Sequence, residues 1–139
     1  MAINSKGVLV GGLVAGLIIN ISESILNVPV LGAQMEAALK ARNLPPISGT
    51  AIAFFIIMGF IMGCLLVWLY AAVRPRFGPG PKSAIAVAAI VWLLGYFWGS
   101  IATVLMGFMP AGLTLIALGW GLVELIVASL VGARLYSET

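Results

Sequence analysis

The apolar stretch at residues 113–136, LTLIALGWGLVELIVASLVGARLY, carries a single carboxylate, Glu124, at its centre. A run of about 20 apolar residues is long enough to cross the hydrocarbon core of a bilayer as a helix. A charged side chain at that depth costs roughly 2.5–3.5 kcal/mol on insertion scales. The stretch therefore predicts a membrane-spanning helix, and the surroundings of Glu124 are the first place to look for a function.

The composition of the whole chain agrees with a membrane protein. Of its 139 residues, 63% are hydrophobic and 8% are charged, whereas soluble domains have about 25% charged residues. So few polar groups cannot cover a water-soluble fold. The sequence also lacks a basic stripe with interleaved aromatic residues, so we expect no binding to nucleic acid.

The residue types needed for common reactions are missing from the sequence. It contains no histidine, which excludes a His-ligated haem and a His general base, and its one cysteine, Cys64, excludes an intrachain disulfide. The serines within or beside the apolar runs have neither a histidine nor a membrane-embedded lysine as base. We therefore expect a non-catalytic protein with no cofactor and no metal ligands.

Four apolar runs satisfy the length requirement for a transmembrane helix. They lie at about residues 7–26, 49–73, 82–109 and 113–136. The sequence thus predicts one all-α domain over residues 1–139, a polytopic bundle of four transmembrane helices. An even number of spans places both termini on one side, and the short third connection makes the last two helices an antiparallel hairpin.

The first connection is the longest, and residues 33–42 within it favour a helix, with Glu36 and Lys40 in the favourable i,i+4 order. Pro29 on one side and Pro45-Pro46 on the other are expected to bound it. We predict a short interfacial helix between helices 1 and 2, resting on the headgroups. The alternative is a docking surface for a partner.

The distribution of cations predicts the orientation by the positive-inside rule. Five cations fall on the side of the termini and two on the other: Lys6, Arg74, Arg76, Lys82 and Arg134 against Lys40 and Arg42. Both termini are therefore expected in the cytoplasm. Arg74, Arg76 and Lys82 lie in a connection rich in proline and glycine, where they are candidate contacts for anionic lipids.

Small residues recur at four-residue spacing in every predicted helix. The pairs are Gly12/Gly16, Gly59/Gly63, Gly95/Gly99, Ala117/Gly121 and Ala128/Gly132. Such spacing lets helix backbones approach closely and gain dispersion contacts that lipid does not supply. We expect a compact bundle, with self-association or binding to other membrane subunits through small-residue faces.

Helical periodicity and depth place four polar residues near one another. Asn20, Glu23, Tyr96 and Glu124 fall on inward faces of helices 1, 3 and 4, at or above the middle of the membrane, whereas helix 2 offers mainly apolar packing. No basic residue lies at that depth, so we expect Glu124 to be neutral. The cluster is interpreted as a polar clasp between helices, and alternatively as a proton- or cation-binding site in a transport path.

Three strings give the chain a resemblance to small four-span bacterial inner-membrane proteins of unknown function. They are residues 11–16 (GGLVAG), 30–36 (VLGAQME) and 68–78 (WLYAAVRPRFG). The resemblance implies a bacterial inner membrane and four helices, and it brings no catalytic residues. In size, the chain also looks like the small multidrug transporters, which have four helices and an intramembrane glutamate, although Glu124 lies in helix 4 here.

Two functions follow as hypotheses. The first is an accessory or structural subunit of a larger bacterial membrane complex, because the chain has little charge, short connections and no soluble catalytic domain. The second is a small homo-oligomeric transporter coupled to protons or cations through Glu124. The contacts of Glu124 in the folded chain discriminate between them.

Overall fold

The computed structural model describes residues 2–139, which form helices and short connections without a strand among them. The α-helices are α1 (Ser5–Ile25), α2 (Gly32–Ala41), α3 (Gly49–Phe77), α4 (Pro81–Val91), α5 (Trp98–Leu105) and α6 (Ala111–Leu135). Two π-helical segments, Leu26–Val30 and Trp92–Phe97, extend α1 and join α4 to α5.

These elements form four helices long and apolar enough to cross a membrane. The spans are Ser5–Val30, Gly49–Phe77, Pro81–Leu105 and Ala111–Leu135. At a rise of ~1.5 Å per residue each is longer than the ~30 Å hydrocarbon core. The predicted four-helix bundle is confirmed, and so is the short helix in the first connection, α2. The chain is an integral membrane protein.

Local signals in the sequence start two of the spans. Asn4 caps α1, since its Oδ1 accepts a hydrogen bond from the Gly7 N–H at 3.2 Å. Ser48 caps α3 in the same way, with its Oγ accepting from the Ala51 N–H at 3.2 Å. Both side chains satisfy a backbone donor that the first helical turn leaves without a partner.

Span 1 does not end at the predicted boundary near residue 26. It continues through Pro29 to Val30 as a π-helical turn, closed by a 2.7 Å hydrogen bond from the Leu31 N–H to the Leu26 carbonyl. The wider turn accommodates a residue that cannot donate a backbone hydrogen bond. Pro29 therefore lies inside span 1, and the short helix α2 begins after it, at Gly32.

Span 2 also passes the predicted boundary. Helix α3 includes Pro75 in its last turn and ends at Phe77, so the connection to α4 shrinks to residues 78–80. Gly78 and Gly80 have φ values of 84° and 119°, which side chains with a Cβ rarely adopt. The glycines, rather than the proline, stop the helix.

The close contacts between spans use the predicted small residues of helices 1, 2 and 4. Gly63 of α3 lies directly against the backbone of Gly12 and Gly16, where a Cβ would collide, and a Cβ on Gly11 of α1 would likewise collide with the Gly132 carbonyl of α6. The Gly95/Gly99 pair makes no such contact, because Gly99 has no neighbour and is exposed. Thus α1 packs between α3 and α6.

The two ends of the bundle differ. Both termini lie at one end, which we call the terminal end: the Asn4 N–H and the Tyr136 hydroxyl are 3.2 Å apart in a hydrogen bond. At the other end, the loop end, Arg42 Nε donates to the Gly107 carbonyl at 3.0 Å and ties the first connection to the third.

Candidate functional site

Glu124 lies on the face of α6 that is directed into the bundle, and 4% of its surface is exposed. Its Oε2 accepts a 3.0 Å hydrogen bond from the hydroxyl of Tyr96, which belongs to the π-helical segment of span 3. The Tyr96 ring occupies the space that a Cβ would take at Gly121, one turn before Glu124. The missing side chain at position 121 therefore lets the phenol reach the carboxyl group.

The second oxygen of Glu124 has no such partner. Oε1 is buried and makes no hydrogen bond in the described structure. Ser22 and Glu23 of α1 are the polar side chains that adjoin Glu124 from the other side. A buried polar atom without a partner is costly and is rare enough to call for an explanation. A proton shared with Glu23, or a small cation, would satisfy Oε1.

Glu23 is itself held by Asn27, one turn further along span 1 in the π-helical segment that extends α1. Asn27 Nδ2 donates to Glu23 Oε2 at 2.8 Å and to the Glu23 carbonyl at 2.9 Å. Glu23 is partly buried, and Asn27 is exposed at the loop end. Polar side chains therefore form a row from Glu124 to the loop end of the bundle.

Towards the terminal end, buried residues close the interior. Leu125 and Ala128 have no exposed surface, and Ser129 is 1% exposed. The Ser129 hydroxyl donates to the Ala84 carbonyl at 2.7 Å, which joins α6 to α4. The row of polar groups therefore reaches the loop end of the bundle but not the terminal end.

Two further residues near the site were not anticipated from the sequence. Trp120 Nε1 donates to Ser22 Oγ at 2.9 Å, which joins α6 to α1 beside Glu124. Ser22 is one of the serines for which the sequence offers no catalytic base. The i,i+4 spacing of Trp120 and Glu124 is the signal that could have identified the tryptophan, because residues at that spacing share a helix face.

Asn20 lies apart from Glu124 and contacts α3 instead. Its Nδ2 donates to the Gly16 carbonyl at 3.0 Å and to the Ile56 carbonyl of α3 at 3.1 Å, and its amide lies against Gly59. The structure thus brings Glu23, Tyr96 and Glu124 together and directs Asn20 to α3. Span 2 is more than apolar packing, since its glycine accommodates this amide.

The three cations predicted to contact anionic lipids have different surroundings in the structure. Arg74 Nη1 is 3.2 Å from Glu138 Oε1, and its guanidinium lies 5.9 Å from the centre of the Tyr136 ring. These contacts occupy the cation within the chain. Arg76 and Lys82 are exposed at the terminal end.

The described residues contain no group of three or more cysteine, aspartate or glutamate side chains placed to hold a metal ion. What the site offers chemically is a pair of carboxyl groups with hydroxyl neighbours, which can hold and exchange a proton or bind a small cation. In comparisons with known proteins, no family model, no curated protein sequence and no solved structure gave a significant match.

Proposed function

We propose that this chain is a non-catalytic accessory subunit of a larger complex in a bacterial inner membrane. The observation that carries the proposal is the buried hydrogen bond between Tyr96 and Glu124, which uses the embedded carboxyl group to join spans 3 and 4. A carboxyl group that makes this hydrogen bond acts as a clasp between the two helices. The polar groups at membrane depth then serve the fold of the subunit itself.

The outer surface supports the same function. Large apolar side chains face outward on every span, among them Phe54 at 63%, Trp98 at 73% and Leu105 at 82% exposed. The described connections between the spans are short, so most of the described residues belong to the spans themselves. Such a surface suits lipid on some faces and neighbouring subunits on others.

Site-specific photocrosslinking in native membranes tests this proposal. A photoreactive amino acid replaces Trp98 in one variant and Phe54 in another, so that different spans are sampled. The expected result is a recurrent crosslink to one other membrane polypeptide from one of these faces and not from the other. Crosslinks that form only between copies of this chain, from either position, would contradict an accessory role.

A second candidate function is supported by the unpartnered oxygen of Glu124. With Glu23 adjoining it and the row of polar groups reaching the loop end, the site has the composition of a proton- or cation-binding site in a carrier. Within one chain the polar groups lead from Glu124 to the loop end only. A homo-oligomer would therefore have to supply the part of the path between Glu124 and the terminal end.

Proteoliposomes containing a pH-sensitive dye discriminate between the two functions. Proton flux is measured under an imposed membrane potential for the unmodified protein and for Glu124→Gln. A carrier requires a flux that the variant loses while its assembly stays intact. If the unmodified protein produces no flux, and Glu124→Gln alters only assembly or stability, the carrier function is contradicted and the clasp remains.

A further inference from the structure

We propose that a cleft at the terminal end of the bundle binds one anionic phospholipid, with its phosphate on Arg134. The cleft has a volume of about 440 Å³ and lies between the start of α4 and the end of α6. Gly80 and Pro81 line one side and Arg134 the other, while Tyr70 of α3 also lines it. The site does not depend on either function proposed above.

The walls of the cleft suit the apolar part of a lipid. Leu130 and Val131 of α6 and Ala84 of α4 line it deeper in the membrane, one turn or so from its mouth. The polar hydroxyl of Tyr70 is already engaged, because it accepts a 3.0 Å hydrogen bond from the Gly80 N–H. The interior therefore presents mainly hydrocarbon, and an acyl chain can cover it.

The charge at the mouth favours an anion. Arg134 is exposed, and neither of the two ion pairs among the described residues involves it. Lys82, also exposed, follows Pro81 in the first turn of α4. Arg74 is the cation at this end that is not free, since Glu138 and Tyr136 occupy it. Arg134 thus lines the cleft as an exposed cation outside any ion pair, and Lys82 is adjacent in sequence to the lining residue Pro81.

The size of the cleft decides which occupant fits. Pockets for small molecules have volumes of roughly 300–1,000 Å³, so this cleft accommodates a glycerophosphate and the first part of its chains. A phospholipid is an apolar molecule with one phosphate at its end. It therefore matches an apolar cleft with one guanidinium, that of Arg134, at its mouth.

Native mass spectrometry of the full chain in detergent micelles tests the site, with phosphatidylglycerol and phosphatidylcholine as probes. We expect tighter binding of phosphatidylglycerol, and a loss of about fivefold in its affinity in Arg134→Gln, the equivalent of one basic contact near the headgroups. Binding of phosphatidylcholine should not change in that variant.

Arg76→Gln is the matched control, because Arg76 is an exposed cation at the same end but outside the cleft lining. An equal loss in Arg76→Gln and Arg134→Gln would overturn the proposal in favour of diffuse attraction. Equal binding of the two lipids would overturn it as well.

A filled cleft provides a second test that leaves the charge in place. In Val131→Trp the larger side chain should occupy the cleft and weaken binding of phosphatidylglycerol, while the melting temperature shows whether the bundle stays folded. Inorganic phosphate should not compete, because it lacks the acyl chains. Unchanged binding in a folded Val131→Trp, or displacement of the lipid by inorganic phosphate, would contradict a lipid site.

Discussion

The two oxygens of Glu124 are in different environments, and this difference dominates the chemistry at the scale of single residues. Oε2 accepts from Tyr96, whereas Oε1 is buried without a partner beside Ser22 and Glu23. The first contact contributes to the fold, and the second leaves capacity for a proton or a cation. Substitutions at these positions separate the two contributions.

Replacement of Tyr96 by phenylalanine should lower the free energy of unfolding only slightly. Hydrogen bonds between membrane helices contribute about 0.6 kcal/mol on average and at most about 1.7 kcal/mol. We expect a coupling energy in that range from a double-mutant cycle of Tyr96→Phe and Glu124→Leu, measured by unfolding in mixed micelles. Thr114→Val is the control partner, because the Thr114 hydroxyl donates to the Pro110 carbonyl within its own helix end. A coupling of Tyr96 to Thr114 as large as that to Glu124 would contradict a direct contact.

The glycines of span 2 and span 3 should differ in their response to an added methyl group. In Gly63→Ala the Cβ meets the backbone of Gly12 and Gly16, so we expect a loss of about 1–3 kcal/mol, as for other overpacked sites. Gly99→Ala is the matched control, because nothing lies within 4 Å of the added atom. Unfolding in mixed micelles measures both, and equal losses would contradict the close approach of α1 and α3.

At the scale of elements, the ends of the spans are set by two different kinds of interaction. The caps of Asn4 and Ser48 are local, whereas the loop end is held by Arg42, which reaches Gly107 in a connection 65 residues away. Arg42 also donates to the Ala38 carbonyl at 3.2 Å. The short helix α2 is thus tied to the hairpin of spans 3 and 4.

Removal of that tie should loosen the loop end without unfolding the bundle. We expect Arg42→Gln to accelerate amide hydrogen exchange in residues 106–110 and in α2, while exchange in α6 stays unchanged. Lys40→Gln is the control: its ion pair with Glu36 is largely exposed, at 77% and 65% for the two side chains, and such pairs contribute little. Faster exchange in Lys40→Gln but not in Arg42→Gln would contradict the prediction.

At the scale of the whole molecule, the two ends of the bundle carry unequal charge. Both termini and the connection at residues 78–80 meet at the terminal end, where the Arg74–Glu138 ion pair joins span 2 to the C-terminal residues. Five of the seven cations belong to this end, and two belong to the loop end. The positive-inside rule therefore predicts that the terminal end faces the cytoplasm.

Thiol labelling in intact cells tests this orientation. In a Cys64→Ala background, a cysteine is introduced either at Asn43 near the loop end or at Ser137 at the terminal end. A membrane-impermeant reagent should label the Asn43→Cys variant in intact cells and the Ser137→Cys variant only after the membrane is opened. The reverse pattern would contradict cytoplasmic termini.

The class of the protein and the number of its spans could be predicted from the sequence, because the cost of burying backbone and charge in lipid acts on each segment separately. The predicted depth of Glu124 and Tyr96 in the membrane rests on helical rise alone. Spans 1 and 2 run past their predicted ends near residues 26 and 73, through Pro29 and Pro75, since proline interrupts only some intrahelical bonds and a helix in a bundle tolerates the loss.

What the sequence by itself determined is the set of spans and the small-residue faces of helices 1, 2 and 4. The tertiary structure alone decided which polar groups meet: Asn20 reaches α3 through the space left by Gly59, while Ser22 and Glu23 turn to Glu124. The physical reason is that the order of helices around the bundle and their rotations depend on all interhelical contacts at once. Helical periodicity defines a face for each polar residue, and only packing selects the helix that this face contacts.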